Sequence, residues 1–379
     1  MMIEIDSIKP QNKFVLVNWN DGNNDSFHYV WLRDHLQESD FFDFSTKERL
    51  VDAHTYLANI QPKEVKIKNG NLNILWPGRE KPSEYTAQWL HLNSYSKKSL
   101  KSKEESFLES IDWPFNSFEE VERFNYQKIF QDNNIAYQLL SHFCNNGFSF
   151  IENAPQKPGV VKEITNWLGY LREVSFGDVR DIKSEVGSLN VAFTSREAKP
   201  HIDGTNYIHP YVVQFLHCIQ NQAEGGNSNI VDGFAMANNL KNINQSAFDT
   251  LTKVKVKYKI GAGEHDMSHS APVIELDREG KLYLIRFSNQ QRRELSIPFE
   301  DIENFYFSYN LFSKMVNDPT NQLKFRFQPG NILMFNNLRI LHAREAFNLN
   351  SGLRHLQLAS TDIEMVYSRL RRLSNCKIS

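Results

Sequence analysis

A chain of 379 residues is long enough for one large core plus a smaller second domain, and 27 Phe make an otherwise ordinary globular composition rich in aromatic rings. A formal net charge of −2 gives no electrostatic reason to expect nucleic acid or an anionic membrane as a partner. Three cysteines (Cys144, Cys218, Cys376) and no CxxC exclude a disulfide framework and point to a reducing, cytoplasmic setting. The first residues are polar, so no signal peptide is expected, and no apolar run approaches the ~18–20 residues of a membrane-spanning helix.

In chain order, Asn12 to Asn20 reads as a strand, and Tyr29-Val30-Trp31-Leu32-Arg33-Asp34 follows. Glu64 to Lys68 and Asn71 to Trp76 alternate in polarity around Asn69-Gly70, the dipeptide that supplies both positive φ angles of a type I′ turn, so they predict a hairpin. Residues 1–95 therefore read as a small β-rich accessory domain, 96–125 as a polar linker and lead-in, and 126–379 as the main domain. Asn133 to Cys144 suits a helix, with Ile135, Leu139, Leu140 and Phe143 on one face, and Pro158 opens a second helix to about Arg172. Strands then dominate: Tyr211–Cys218, Asn229–Val231, Val254–Ile260, Leu282–Phe287, Lys324–Phe327, Ile332–Phe335 and Leu353–Thr361, with one interrupting helix near Asp301 to Val316. The pattern predicts a mainly β chain with flanking helices, folded as a double-sheet jelly roll.

Within this pattern, His201-Ile202-Asp203 puts an imidazole and a carboxylate on one side of an extended backbone. The run Phe335 to His342 offers a third ligand, His342. Two His and one carboxylate with an open face form the facial triad of non-haem Fe(II) oxygenases. An isolated His-x-Asp is a weak signal, because most such pairs are only polar packing.

Longer stretches carry a resemblance. Leu189–Thr194, His201–Asp203, Gln214–Ile219, Gly225–Phe234, Pro329-Gly330, Phe335–Arg344, Leu353–Leu356 and Ser368–Arg371 occur in an order similar to that of the Fe(II)/2-oxoglutarate-dependent dioxygenases of the taurine dioxygenase-like superfamily. Trp31–Asp34 and Trp76–Gly78 resemble the accessory domain of its γ-butyrobetaine and trimethyllysine hydroxylase branch. The resemblance implies a distorted double-stranded β-helix, a homodimer, a small-molecule substrate, and His201, Asp203 and His342 on Fe(II), with 2-oxoglutarate and O2 as cosubstrates. It also implies that Arg354 grips the distal carboxylate of 2-oxoglutarate, helped by Ser228. A guanidinium suits that task because it meets a carboxylate through two parallel charge-assisted bonds. Arg344 competes for the role. His217, His355, His265 and His269 receive structural roles.

The chain departs from the branch twice. Where the branch carries three zinc-binding Cys, Leu36, Glu38 and Phe41 stand here, and the His position falls near Glu80 or Lys81, so no structural zinc is expected. Phe41, Phe42 and Phe44 offer apolar area instead. The branch encloses a trimethylammonium in aromatic rings through cation–π attraction. The matching positions here are Phe176, Arg180, Phe193 and Ser360, and Gly204 replaces a tyrosine after the His-x-Asp. Asn190 and Asn289 resemble pocket amides. An arginine there repels a quaternary ammonium, so the expected substrate carries an anion, unless Arg180 pairs instead with Asp178 or Asp181. The alternatives are a γ-butyrobetaine or trimethyllysine hydroxylase with a modified cage, an inactive binding protein on the same scaffold, and a metal hydrolase.

Overall fold

The computed structural model describes residues 3–100, 113, 117–174, 177–183, 195–262 and 265–375. The chain divides into two compact units, Met1–Glu109 and Ser110–Ser379.

The first unit holds two three-stranded antiparallel sheets, one built from Ile5–Pro10, Phe14–Trp19 and Asn24–His28, the other from Glu64–Lys68, Asn71–Leu75 and Ser83–Tyr85. The hairpin expected at Asn69-Gly70 is present, with φ of 50° and 74° at the two turn residues. Tyr29–Asp34 is helical and buries Tyr29 and Leu32. Leu36 joins the core of this unit and Phe41 packs against it. Phe44, expected to supply apolar area, is instead 58% exposed.

The second unit is a jelly roll. A six-stranded sheet runs in the order Val179–Lys183, Arg354–Thr361, Val213–Asn221, Ile332–Asn336, Phe148–Glu152 and Arg123–Asn125. A four-stranded sheet runs Ala198–His201, Ile340–Arg344, Ser228–Asp232 and Leu323–Phe325. Phe148, Phe150, Cys218, Leu333, Phe335 and Leu356 of the larger sheet pack with Ile230, Leu323, Phe325 and Ile340 of the smaller in one buried cluster. Such interdigitation of inward-facing positions is what an alternating strand pattern produces when two sheets close on each other.

Helices cover the outer faces. Asn133–Asn146 starts at the Asp132 side chain, which accepts from the Asn134 and Ile135 N–H groups, and stops at Gly147 in the left-handed region (φ 78°). With Val160–Leu168 and Ile363–Asn375 it buries the outside of the larger sheet, against Val213, Phe215 and Ala359. The sequence reading expected a single helix among the later strands, and the structure corrects this. Gly233–Ile243 and Gln245–Lys253 join Ile302–Asn317 over the smaller sheet. Asp232 ends its strand and caps the next helix, accepting from the Phe234 and Ala235 N–H groups. Gly233 at that junction is required, because a Cβ there would come within 2.7 Å of the Arg339 carbonyl oxygen.

Candidate active site

The strands Ala198–His201 and Ile340–Arg344 are antiparallel neighbours, with His201 directly opposite His342. Cross-strand partners on one face lie close, and the two imidazole centroids are 4.3 Å apart. Asp203 follows two residues past the strand end. Its Oδ1 lies 3.6 Å from His201 Nε2 and 3.9 Å from His342 Nε2. Single ligand atoms of the three residues all lie within 4.8 Å of one another, close enough to share one ion.

The surroundings prepare these atoms for a cation. His201 Nδ1 is 2.8 Å from the Lys199 carbonyl oxygen. A carbonyl only accepts, so Nδ1 carries a proton, and Nε2 is the ring nitrogen turned towards Asp203. Burial pushes His342 down to about 3, with His201 and Arg180 adding to the effect and Asp203 opposing it, so His342 is a neutral, lone-pair-bearing imidazole at physiological pH. Burial favours the neutral form of Asp203, but the polar contacts with the two imidazoles and the Arg180 guanidinium beside its Oδ2 outweigh it and hold the carboxyl well below its ordinary range. The two oxygens of Asp203 are used differently. Oδ2 accepts from Gln214 Nε2 at 3.2 Å and lies 3.5 Å from the Arg180 guanidinium, which leaves Oδ1 turned to the histidines. Two imidazoles and an ionised carboxylate are the donor set that Fe(II) takes.

Side chains that the sequence reading did not single out hold this geometry. Asn337, fully buried, accepts from the Asp203 N–H at 2.8 Å and donates to the carbonyls of Asp203 (2.9 Å) and Tyr211 (3.0 Å). Arg286, also fully buried, donates to Glu275 Oε1 at 2.7 Å and to the carbonyls of Thr205 (2.7 Å) and Tyr207 (2.8 Å). The loop after Asp203 is thus held at its ends and its middle. Gly204 adopts φ 73°, and a Cβ there would come within 3.1 Å of the Tyr211 ring, so Tyr211 occupies the space beside the glycine. Gln214 shares its strand face with the inward Leu216 and Cys218, which placed it inside without revealing its partner.

One cavity joins His201, Asp203 and His342 to Arg180, Ser228, Arg344 and Arg354. Arg354 opens its strand and is only 8% exposed. Burial, reinforced by Arg344 and Arg326, pushes it down to about 10, so it stays cationic at neutral pH. Its Nε has no hydrogen-bond partner, and among the described residues no carboxylate pairs with it. Ser228 lies opposite Arg344 in the sheet register.

Arg180 faces the cavity. The alternative partners are taken: Asp178 pairs with Lys162 (3.1 Å) and Asp181 with His355 (2.5 Å). Asn289, expected as a pocket amide, is exposed, accepts from Arg292 at 3.4 Å, and is not among the residues lining the cavity, although the next two, Gln290 and Gln291, are. Phe176, Asn190 and Phe193 lie outside the described residues.

A jelly roll enclosing two histidines, an aspartate and a buried guanidinium defines a class, the metal-dependent oxygenases. The chain belongs to the taurine catabolism dioxygenase TauD, TfdA family, whose model matches residues 114–359, and a γ-butyrobetaine hydroxylase-like N-terminal domain matches residues 7–132. It is an enzyme of the Fe(II)/2-oxoglutarate-dependent kind. It is similar to the human γ-butyrobetaine dioxygenase (31% identity, 94% of this chain and 93% of that protein). Trimethyllysine dioxygenase of Meyerozyma guilliermondii is 27% identical over 95% of this chain and 93% of its own length. Among solved structures, PvcB, an Fe, alpha-ketoglutarate dependent oxygenase from an isonitrile synthetic pathway, aligns with 62% of this chain and 81% of its own at TM-score 0.46 and 18% identity. No helix among the described residues is long and apolar enough to cross a membrane.

Proposed function

We propose that this enzyme oxidises an unactivated C–H of a small polar metabolite, by default through hydroxylation, with His201, Asp203 and His342 holding the iron. When bound, iron and 2-oxoglutarate would let O2 act as the oxidant, one oxygen atom going to the C–H and the other to succinate, with CO2 released. The protein's residues fix the metal, orient the cosubstrate and position the C–H. In this reading Arg354, with Ser228, receives the distal carboxylate of 2-oxoglutarate, and Arg344 supports it. The observation that carries the reading is Arg354 itself. A buried guanidinium with no carboxylate partner is costly, and it lines the same cavity as the triad.

The same proposal extends to the substrate: it carries an anionic group that meets Arg180 and is not a trimethylammonium compound. Three guanidinium groups (Arg180, Arg344, Arg354) line the cavity, and Asp203 is the one carboxylate among its described lining residues. A second reading is a γ-butyrobetaine or trimethyllysine hydroxylase with an altered cage. It is favoured by relatives of those names matched over nearly the whole chain and by Asp203 standing beside Arg180 to offset its charge. The enzyme is further proposed to be a cytoplasmic homodimer, which sedimentation of the purified protein tests for assembly.

Succinate formation from 2-oxoglutarate with Fe(II) and ascorbate under air separates the substrates. Small carboxylates, amino acids and phosphonates are run against γ-butyrobetaine and trimethyllysine. Stimulation by an anionic compound alone is expected. Stimulation by γ-butyrobetaine overturns the claim that the substrate is not a trimethylammonium compound and leaves the second reading.

A further inference from the structure

The cation at Asp203 Oδ2 also faces the space that a substrate must enter. Arg180 sits on Val179–Lys183, the edge strand of the larger sheet, while Asp203 follows a strand of the smaller sheet, so the contact bridges the two walls of the cavity. At 3.5 Å it is longer than the 2.7–2.9 Å of a tight charge-assisted bond. The contact to Asp203 is loose, and with five N–H donors a guanidinium serves more than one partner at a time.

We propose that Arg180 is a positioning residue shared between the metal ligand Asp203 and the anionic group of the substrate, and that it makes metal binding and substrate binding mutually dependent. The inference rests on the functional reading above. A cation at Oδ2 draws negative charge away from Asp203 and repels a divalent ion at Oδ1. An anion arriving on Arg180 offsets that cation, so the metal is then held more tightly. Because coupling between two binding equilibria is reciprocal, a bound metal strengthens anion binding by the same factor. Gln214 makes the exchange workable. Its neutral carboxamide, fully buried and 3.2 Å from Oδ2, keeps that oxygen hydrogen-bonded while Arg180 turns to the substrate, so Oδ1 stays aimed at His201 and His342.

The test is calorimetric titration of Mn(II) into the full-length, metal-free protein with 2-oxoglutarate present, with and without propane-1-sulfonate, and with tetramethylammonium as the cationic control. In wild type the sulfonate should tighten Mn(II) binding by about fivefold or more, a typical coupling, and tetramethylammonium should not. Arg180→Gln should bind Mn(II) more tightly than wild type without any additive and lose the sulfonate effect. Arg180→Lys, which keeps the charge, should retain wild-type affinity and part of the coupling. Equal Mn(II) affinity in wild type and Arg180→Gln overturns the proposal, as does a sulfonate effect that survives Arg180→Gln or is absent from wild type. Weaker Mn(II) binding in both variants with lower unfolding midpoints overturns it as well, since that is the mark of a structural strut. If Mn(II) binding survives His201→Ala, the functional reading itself has failed.

Discussion

Asn337 grips Asp203 by both of its backbone groups: the Asp203 N–H donates to Asn337 Oδ1 at 2.8 Å, and Asn337 Nδ2 donates to the Asp203 carbonyl at 2.9 Å. Asn337 lies in the connection between Ile332–Asn336 and Ile340–Arg344, the strand that carries His342. One side chain therefore sets the position of Asp203 against the strand that carries His342. Asn337→Ala leaves the buried N–H and carbonyl of Asp203 and the carbonyl of Tyr211 without this partner, at about 1–3 kcal/mol for each group left unsatisfied. The expected outcome is a loss of about 3 kcal/mol or more in denaturant unfolding, together with weaker Mn(II) binding. Unchanged metal affinity would mean that the triad is held by other contacts.

The role proposed for Arg354 predicts that its substitutions separate cosubstrate binding from stability. Arg354→Lys keeps the charge and loses the paired geometry, so KM for 2-oxoglutarate should rise about tenfold or more while KM for the oxidised substrate stays near wild type. Arg354→Met should abolish 2-oxoglutarate binding yet stabilise the metal-free protein by about 1 kcal/mol or more, because a buried charge without a carboxylate partner is removed. Thermal unfolding and calorimetry read the two effects. A destabilised Arg354→Met protein would show instead that the guanidinium is a structural tie.

His217 makes stability depend on pH. It shares a strand face with Val213 and Phe215, is fully buried, and neither ring nitrogen has a hydrogen-bond partner among the described residues. Burial, helped by His355, pushes it down to about 4. The unfolded chain takes up this proton near pH 6.5 and the folded chain only near 4, so stability is lost as the pH falls through that window. Between about pH 7.5 and about pH 5, wild type should lose about 2 kcal/mol more than His217→Leu. Denaturant unfolding at the two pH values checks this, and parallel losses would contradict it.

The first unit should be indifferent to chelators. Arg33 and Arg79 lie 4.8 and 5.0 Å from the centre of the Phe41 ring, and Arg79 also pairs with Glu38. An ion pair and two cation–π contacts thus tie together the segment in which the resemblance pointed to thiolates. Hydrogen exchange over residues 30–42 should be the same with and without EDTA, and faster in Phe41→Ala. Faster exchange on adding EDTA would reveal a bound metal.

Much of this was legible in the sequence because strand alternation and turn chemistry are local. Asn69-Gly70 announced its hairpin, and His201-Ile202-Asp203 announced two side chains on one face. His342 could be named because its motif is a continuous run. Asn337, Gln214 and Arg286 were not legible. Their partners, Asp203 and the loop after it, are distant along the chain, and only the sheet register brings them together. The helices from Gly233 to Lys253 were missed because Asp232 closes a strand and caps a helix at once, so the strand signal masked the start of the helix.

The most direct test of the central reading follows the oxygen atoms. The enzyme is turned over with Fe(II), 2-oxoglutarate and a stimulating substrate under 18O2, and the succinate is weighed by mass spectrometry. Succinate carrying one 18O atom, lost in His342→Ala and in Asp203→Ala, is the expected result. Unlabelled succinate, or labelled succinate that persists in both variants, would contradict an oxygenase centred on His201, Asp203 and His342.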